Sequence, residues 1–275
     1  MNSKVKKVTS KLSRSVKFIY LFLKKRTRAE KKILFILGCQ RSGTSLLERI
    51  FIKDWNTRVY KESSILSSKD KHKLRLNDLN DVRNIINNSN ADMTAAKPLV
   101  ESQNAIKLLD FSPAAKILWV YRHYKDVASS NLKAFGLHNG IKDLRFIAEK
   151  KNGDWRFENI SADTREIVGK YFNLNMNPYD AAALFWLVRN RLFFEQQLHL
   201  NNRAKLINYD DLCNFPGKVL ESVYEFMEKP FPGTKLVREV TAKSVAKGAH
   251  INLSGEVERL CRSLFNRLKK YDDQL

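Results

Sequence analysis

Ile33-Leu34-Phe35-Ile36-Leu37-Gly38-Cys39-Gln40-Arg41-Ser42-Gly43-Thr44-Ser45-Leu46-Leu47 decides the fold. Five apolar residues lead into a loop of small residues, and the loop leads into a helical pattern. A strand covered on both faces reads as an unbroken apolar run, so this segment predicts a parallel sheet. Gly38 and Gly43 bracket the loop at the spacing of a phosphate-binding loop, and the unpaired N–H groups of the helix that follows converge on one anion. In ATP and GTP loops a Lys comes next and reaches the β and γ phosphates. Here that position is Thr44, and the loop's cation is Arg41. The loop is therefore shaped for a different activated anion.

A second segment of the same kind lies further on. Ala115-Lys116-Ile117-Leu118-Trp119-Val120-Tyr121-Arg122 is a buried-strand pattern ending in a cation, and Lys125 to Leu132 reads as a helix. Ser130 stands eight residues after Arg122. An Arg at a strand's carboxyl end and a Ser two turns into the next helix converge on one phosphate, the first through charge-assisted bonds. Ser129 lies about 100° further round the helix, so one of the two serines faces the ligand. The plainer reading of Arg122 is a surface ion pair with Asp126.

Together the two segments resemble the donor-binding motifs of the sulfotransferases that use 3′-phosphoadenosine 5′-phosphosulfate. The loop is similar to the Arg-type branch, which includes bacterial and tyrosylprotein members and reads P-R-S-G-T-[TS]-L, with Gln40 in place of the Pro. The resemblance implies an α/β fold, a P-loop-type parallel sheet flanked by helices on both faces in a single domain. It implies that Arg41, Ser42, Gly43, Thr44 and Ser45 hold the 5′-phosphate and sulfonate, that Arg122 and Ser130 hold the 3′-phosphate, and that no metal is needed. In this branch a Glu follows the first helix and a short strand. Glu62, twenty-one positions after Arg41, matches it with Lys61 replacing the usual Gly, and is implied as the general base for the acceptor hydroxyl. Lys97-Pro98 matches a Lys-Pro element, which gives Lys97 charge neutralisation on the transferring group. The implied catalytic set is thus Glu62, Lys97 and Arg41. At the carboxyl end the family's R-K-G-x-x-G-x-W-K is matched only by Lys247-Gly248, which makes Lys247 a candidate donor contact.

The remaining chain alternates strand and helix patterns, as a sheet covered on both faces requires. Ala91 to Pro98 reads as a short strand and Glu101 to Asp110 as a helix. Residues 135–175 have weak periodicity and read as an insertion over the active site that supplies acceptor contacts. Asn177-Pro178 opens a helix to about Leu200, and its apolar repeat at Ala181, Leu184, Phe185, Val188 and Leu192 reads as core. Ala204 to Tyr209 is the last strand, and Asn208 to Leu212 resembles the family's structural Y-E-D-L segment.

Composition fits a basic enzyme body preceded by an arm. Of the formal charge of +21, residues 1–32 carry twelve Lys and Arg against one acid, a net +11, which leaves +10 for residues 33–275. Such a body concentrates a multiply anionic donor. In the arm, the apolar stretch from Val16 to Leu23 is far too short to cross roughly 30 Å of hydrocarbon. It reads either as an interfacial helix on anionic lipid, or as a solvated helix packed on the body or a disordered tail. Few aromatics interleave with its charges, so nucleic acid is not an expected partner. Three widely spaced cysteines without a C-x-x-C pair point to a reducing, cytoplasmic setting, peripheral at a membrane if the arm docks. Cys39, at a helix N-terminus, has a setting that lowers a thiol pKa. The five histidines show no ligand spacing, and no metal is expected. Two other functions stay open at this point: a P-loop kinase or NTPase with Arg41 in the Lys role, and a non-catalytic membrane-docking module. The first is weakened because no apolar strand ends in an Asp suited to Mg²⁺.

Overall fold

The computed structural model describes residues 16–17, 19–24, 31–98 and 100–274. Most of the basic arm, including residues 1–15, Phe18 and 25–30, lies outside the described residues. The body begins with β1 (Lys32–Gly38) and continues through α1 (Thr44–Lys53), β2 (Thr57–Tyr60), α2 (Leu79–Asn87), β3 (Met93–Ala96), α3 (Ala105–Asp110) and β4 (Ala115–Tyr121). There follow α4 (Tyr124–Phe135), α5 (Asn139–Ala148), α6 (Ala162–Tyr171), α7 (Pro178–Glu195), β5 (Ala204–Asn208), α8 (Tyr209–Asn214), α9 (Pro216–Phe226) and α10 (Gly255–Asp272). The strands form one sheet in the order β2-β3-β1-β4-β5, parallel at every pairing.

Each strand sends alternate side chains to opposite faces, and each face has its own core. Phe35, Leu37, Ile117, Trp119 and Tyr121 pack on one side with α4, α7 and α10. Leu34, Ile36, Leu118, Val120 and Ile207 pack on the other with α1 and α9. That double burial is why β1 and β4 read as continuous apolar runs. The parallel pairing of β1 with β4 is tight at the loop: a Cβ on Gly38, which has φ of 139°, would stand 2.3 Å from the carbonyl oxygen of its partner Val120. Only glycine fits there.

Two elements differ from the sequence expectation. The helix expected over Glu101 to Asp110 opens with a 3₁₀ turn at Ser102–Asn104 before α3, and the helix from Pro178 stops at Glu195, where Gln197 takes a left-handed conformation (φ of 55°). Residues 135–175, weakly periodic in sequence, contain the ten-residue helices α5 and α6. Tertiary packing supplies what periodicity lacks: α5 lies against α7 so closely that a Cβ on Gly140 would come within 2.6 Å of the Ala182 backbone.

Candidate active site

The carboxyl ends of β1, β3 and β4 open into a cavity of about 700 Å³. Its floor is the loop after β1. Gly43 precedes α1 with φ of 109°, no side chain caps the helix, and Gly43, Thr44 and Ser45 all line the cavity. The Leu46 N–H bonds back to the Gly43 carbonyl at 2.8 Å, which leaves the Thr44 and Ser45 N–H groups toward the cavity as an anion cradle. Arg41 holds the left-handed region (φ of 69°) and turns its guanidinium across the cavity, where Nε donates to Ser130 Oγ at 3.0 Å over the Phe135 ring. Ser42 sits differently. It is fully buried, its N–H bonds back to Cys39, and its hydroxyl has no partner among the described residues and does not line the cavity.

On the β4 side, Arg122 and Ser130 line the cavity together, and Ser129 does not. Arg122 is 5% exposed and already engaged: Nη2 donates to Asp126 Oδ2 at 3.0 Å and to the Ser244 carbonyl, and the guanidinium lies 4.4 Å from the Tyr209 ring centre. The ion pair with Asp126 exists, but it is buried rather than at the surface. Arg122 Nε is buried and has no partner among the described residues, so donor capacity is left over on this guanidinium. Asp126 also accepts from the Gly248 N–H at 2.6 Å, which draws the carboxyl-terminal segment over the site. That segment presents Ser244 to the cavity, while Lys247 is exposed and not part of the lining.

On the β2 and β3 side, Lys97 is 3% exposed and is the centre of a charged cluster. Its Nζ lies 2.5 Å from Glu62 Oε1 and 3.5 Å from Glu48 Oε2, and it donates to Ser45 Oγ at 2.7 Å. Glu62, from the end of β2, is the exposed member of the pair, with its carboxylate on the cavity wall. Glu48, on α1, is a site residue that the sequence reading missed. Three others come from the α5–α7 side: Asp143, which accepts from Arg156 Nε at 2.6 Å and Gln40 Nε2 at 3.2 Å, Arg156 itself, and Arg189. Burial raises the Asp143 carboxyl above its ordinary value despite those donors. Cys39 does not have the depressed pKa its position suggested; it is buried, and desolvation pushes its thiol up to about 12. Among the described residues no group of three or more metal-ligating side chains gathers at one point.

The comparisons with known proteins agree with this geometry. The family model described as "Sulfotransferase domain" matches residues 31–254. The sulfotransferase domain of the Synechococcus PCC 7002 olefin synthase superposes with a TM-score of 0.56 at 18% identity, over 90% of this chain and 98% of its own. The sulfotransferase domain from the curacin biosynthetic pathway gives 0.53 at 16% identity, over 87% and 98%. No curated protein sequence matches. The likeness to the two solved domains is one of fold, and the family match runs from the start of β1, through the loop, Glu62, Lys97 and Arg122, to Ser254. The chain belongs to the sulfotransferase family.

Proposed function

We propose that the enzyme transfers a sulfuryl group from 3′-phosphoadenosine 5′-phosphosulfate to a hydroxyl or amine of an acceptor such as a glycan or lipid, by in-line displacement. The observation that carries this reading is the Lys97–Glu62 pair beside Ser45 at the rim of the uncapped loop. An anion in that loop places its reacting group against Lys97. Lys97 and the first-turn N–H groups stabilise charge on the departing oxygen, and Arg41 adds a cation over the same space. Glu62, half-exposed on the wall, takes the acceptor proton as the new oxygen–sulfur bond forms. The unpartnered Arg122 Nε and the Ser130 hydroxyl suit a second phosphate across β1 from the cluster. Such a donor set recognises anions by N–H, guanidinium and ammonium groups, so donor binding needs no metal. Adenosine 3′,5′-bisphosphate at a hundred times its dissociation constant is accordingly expected to stabilise the protein by about 2.7 kcal/mol in metal-free buffer. Thermal unfolding with and without chelator measures it, with ATP and Mg²⁺ as the comparison. Stabilisation by ATP–Mg²⁺ alone would favour the kinase reading.

We also propose a peripheral position on anionic membrane, in a reducing compartment. Residues 19–23 are helical, with Leu21 turned inward at 4% exposure and Ile19, Phe22 and Leu23 outward at 55%, 73% and 72%. Trp55 extends this apolar face beside Tyr20, their rings 5.6 Å apart, and the arm's net charge of +11 supplies attraction to acidic headgroups. Lys17 ties the segment to the body by donating to the Phe51 and Ile52 carbonyls. The double variant Phe22→Asp, Leu23→Asp is expected to lose flotation with phosphatidylserine vesicles while turnover on a soluble acceptor is retained. Wild-type flotation is expected to weaken with salt. Undiminished flotation of the double variant would sink the assignment.

A further inference from the structure

Where the loop after β1 meets α5, the cavity wall is polar, and its hydrogen bonds are unequally spent. Asp143, 4% exposed, is the hub. Its Oδ2 accepts from Gln40 Nε2 at 3.2 Å and from Asn139 Nδ2 at 2.9 Å, and its Oδ1 accepts from Arg156 Nε at 2.6 Å. Asn139 Nδ2 also donates to Asn131 Oδ1 at 3.2 Å. Both amides therefore turn their N–H groups inward and leave Gln40 Oε1 and Asn139 Oδ1 with no partner among the described residues. Both oxygens keep contact with solvent, and both residues line the cavity. Gln40 stands where the resembled loop has a Pro, which could neither donate to Asp143 nor offer a side-chain oxygen.

Arg156 completes this wall. Its Nη1 donates to both oxygens of Asp154, and its Nη2 has no partner among the described residues. A carboxylate oxygen accepts two bonds, so Asp143 Oδ1 also has one lone pair in reserve. The wall thus offers two amide oxygens, a carboxylate lone pair and a guanidinium donor. Because Arg156 is shared by two carboxylates, the wall carries no surplus positive charge and suits a neutral ligand. The same cavity has flat apolar surface: Trp155 lines it, and Phe135 stands at its rim, 51% exposed. Planar polar groups beside aromatic rings match a molecule with hydroxyls around its edge and C–H groups on its faces, since each hydroxyl both donates and accepts.

We propose that Gln40, Asn139, Asp143 and Arg156 form a hydroxyl-binding subsite, and that the acceptor is an uncharged polyhydroxylated ring, a pyranose or cyclitol unit. One hydroxyl of the ring goes to Glu62, and its neighbours bond to this wall. The naming of this ligand as the acceptor rests on the sulfuryl-transfer reading; the subsite itself does not.

Small rings test the subsite. Full-length protein saturated with adenosine 3′,5′-bisphosphate is titrated with the methyl pyranosides of glucose, galactose and mannose, with myo-inositol, and with cyclohexylmethanol, a ring of similar size carrying one hydroxyl. Tryptophan fluorescence and heat release follow binding. A site built to bond several hydroxyls rejects the ring that lacks them. Two or three such bonds predict that at least one polyol binds about ten- to a hundredfold more tightly than cyclohexylmethanol, and a pyranoside or the cyclitol coming first identifies the ring. Asn139→Leu and Gln40→Leu each keep the bulk and remove one free oxygen. Each is expected to cut the preference about tenfold with ligand-free unfolding temperature nearly unchanged. Cyclohexylmethanol binding as tightly as every polyol would overturn the subsite, as would no polyol binding at all or a preference that survives in both variants. If both variants lose ligand-free stability together with the preference, the network is structural and the proposal also fails. Adenosine 3′,5′-bisphosphate is titrated first: its failure to bind would remove the donor reading and leave the polyol titrations, run without it, to decide the subsite.

Discussion

Glu62→Gln is expected to lower turnover by about 10²–10⁴ while leaving donor affinity nearly unchanged. The substitution keeps the shape of the side chain and its hydrogen bond to Lys97 but removes the proton acceptor. Lys97 still has Glu48 and Ser45 at 3.5 and 2.7 Å, so its charge stays in place and the loop keeps its geometry. The comparison variant is Glu48→Gln. Glu48 is 8% exposed, further from Lys97 than Glu62 is, and shared with Lys61 at 3.6 Å, so it holds the cluster together without facing an acceptor. Its replacement is expected to cost less than tenfold in turnover. Initial rates and nucleotide titrations on both variants decide the matter. Full activity in Glu62→Gln removes it from the chemistry, and a larger loss in Glu48→Gln moves the base to α1.

Arg122→Ala is expected to destabilise the protein by about 3–5 kcal/mol before any nucleotide is added, because it leaves the Asp126 carboxylate buried without its cation. Asp126 is 2% exposed and would retain only the Gly248 N–H among the bonds described here. A loss of donor binding in that variant would therefore confuse folding with recognition. Arg122→Lys separates them: it keeps the charge beside Asp126 and loses the fork and the Nε donor. Its affinity for adenosine 3′,5′-bisphosphate is expected to fall about ten- to a hundredfold, with binding of a nucleotide lacking the 3′-phosphate barely altered. Equal losses for the two nucleotides would leave Arg122 a support of the fold alone. Denaturant unfolding without ligand, followed by titration, measures both effects.

The parts of this site that the sequence displays are those written into unbroken local patterns. The apolar runs of β1 and β4, the glycine-bracketed loop and the Arg122–Ser130 spacing are each contained in one strand–loop–helix unit, and the sulfotransferase resemblance added Glu62 and Lys97. Strand order is not local, and nothing in the individual strands orders them. Glu48 is hidden because it lies between Leu47 and Ile50 in an amphipathic helix, where the pattern marks the core face but does not say which polar residue looks into a cleft. Arg189 is concealed in the same way within α7, whose apolar repeat reads as core and is core apart from the edge that meets the cavity. Tyr209 belongs to a segment read as structural, yet its ring lies under Arg122 and against Gly43, where an added Cβ would approach within 2.1 Å. The motif points to Lys247, while the carboxyl-terminal segment that Asp126 anchors turns Ser244 to the cavity. The helix terminus beside Cys39 favours a thiolate, and desolvation outweighs that influence.

With β1 at the middle of the sheet, Glu62 and Lys97 reach the cleft from segments that precede β4, while Arg122, Ser130, Tyr209 and Ser244 all come after it. The two halves of the cleft are thus encoded in two successive stretches of chain, joined along the β1–β4 pair and by side-chain bonds such as Gln103 to Arg189 and Arg75 to Glu158. Exchanging the connections after β2 and β3 would leave the loop after β1 in place while changing the opposite wall, provided the contacts of Arg75 with Glu158 and of Gln103 with Arg189 are kept. For protein engineering the same partition marks where a graft belongs: between Tyr60 and Ala115, where neither the glycine-bracketed loop nor the Arg122–Asp126 anchor has to be rebuilt.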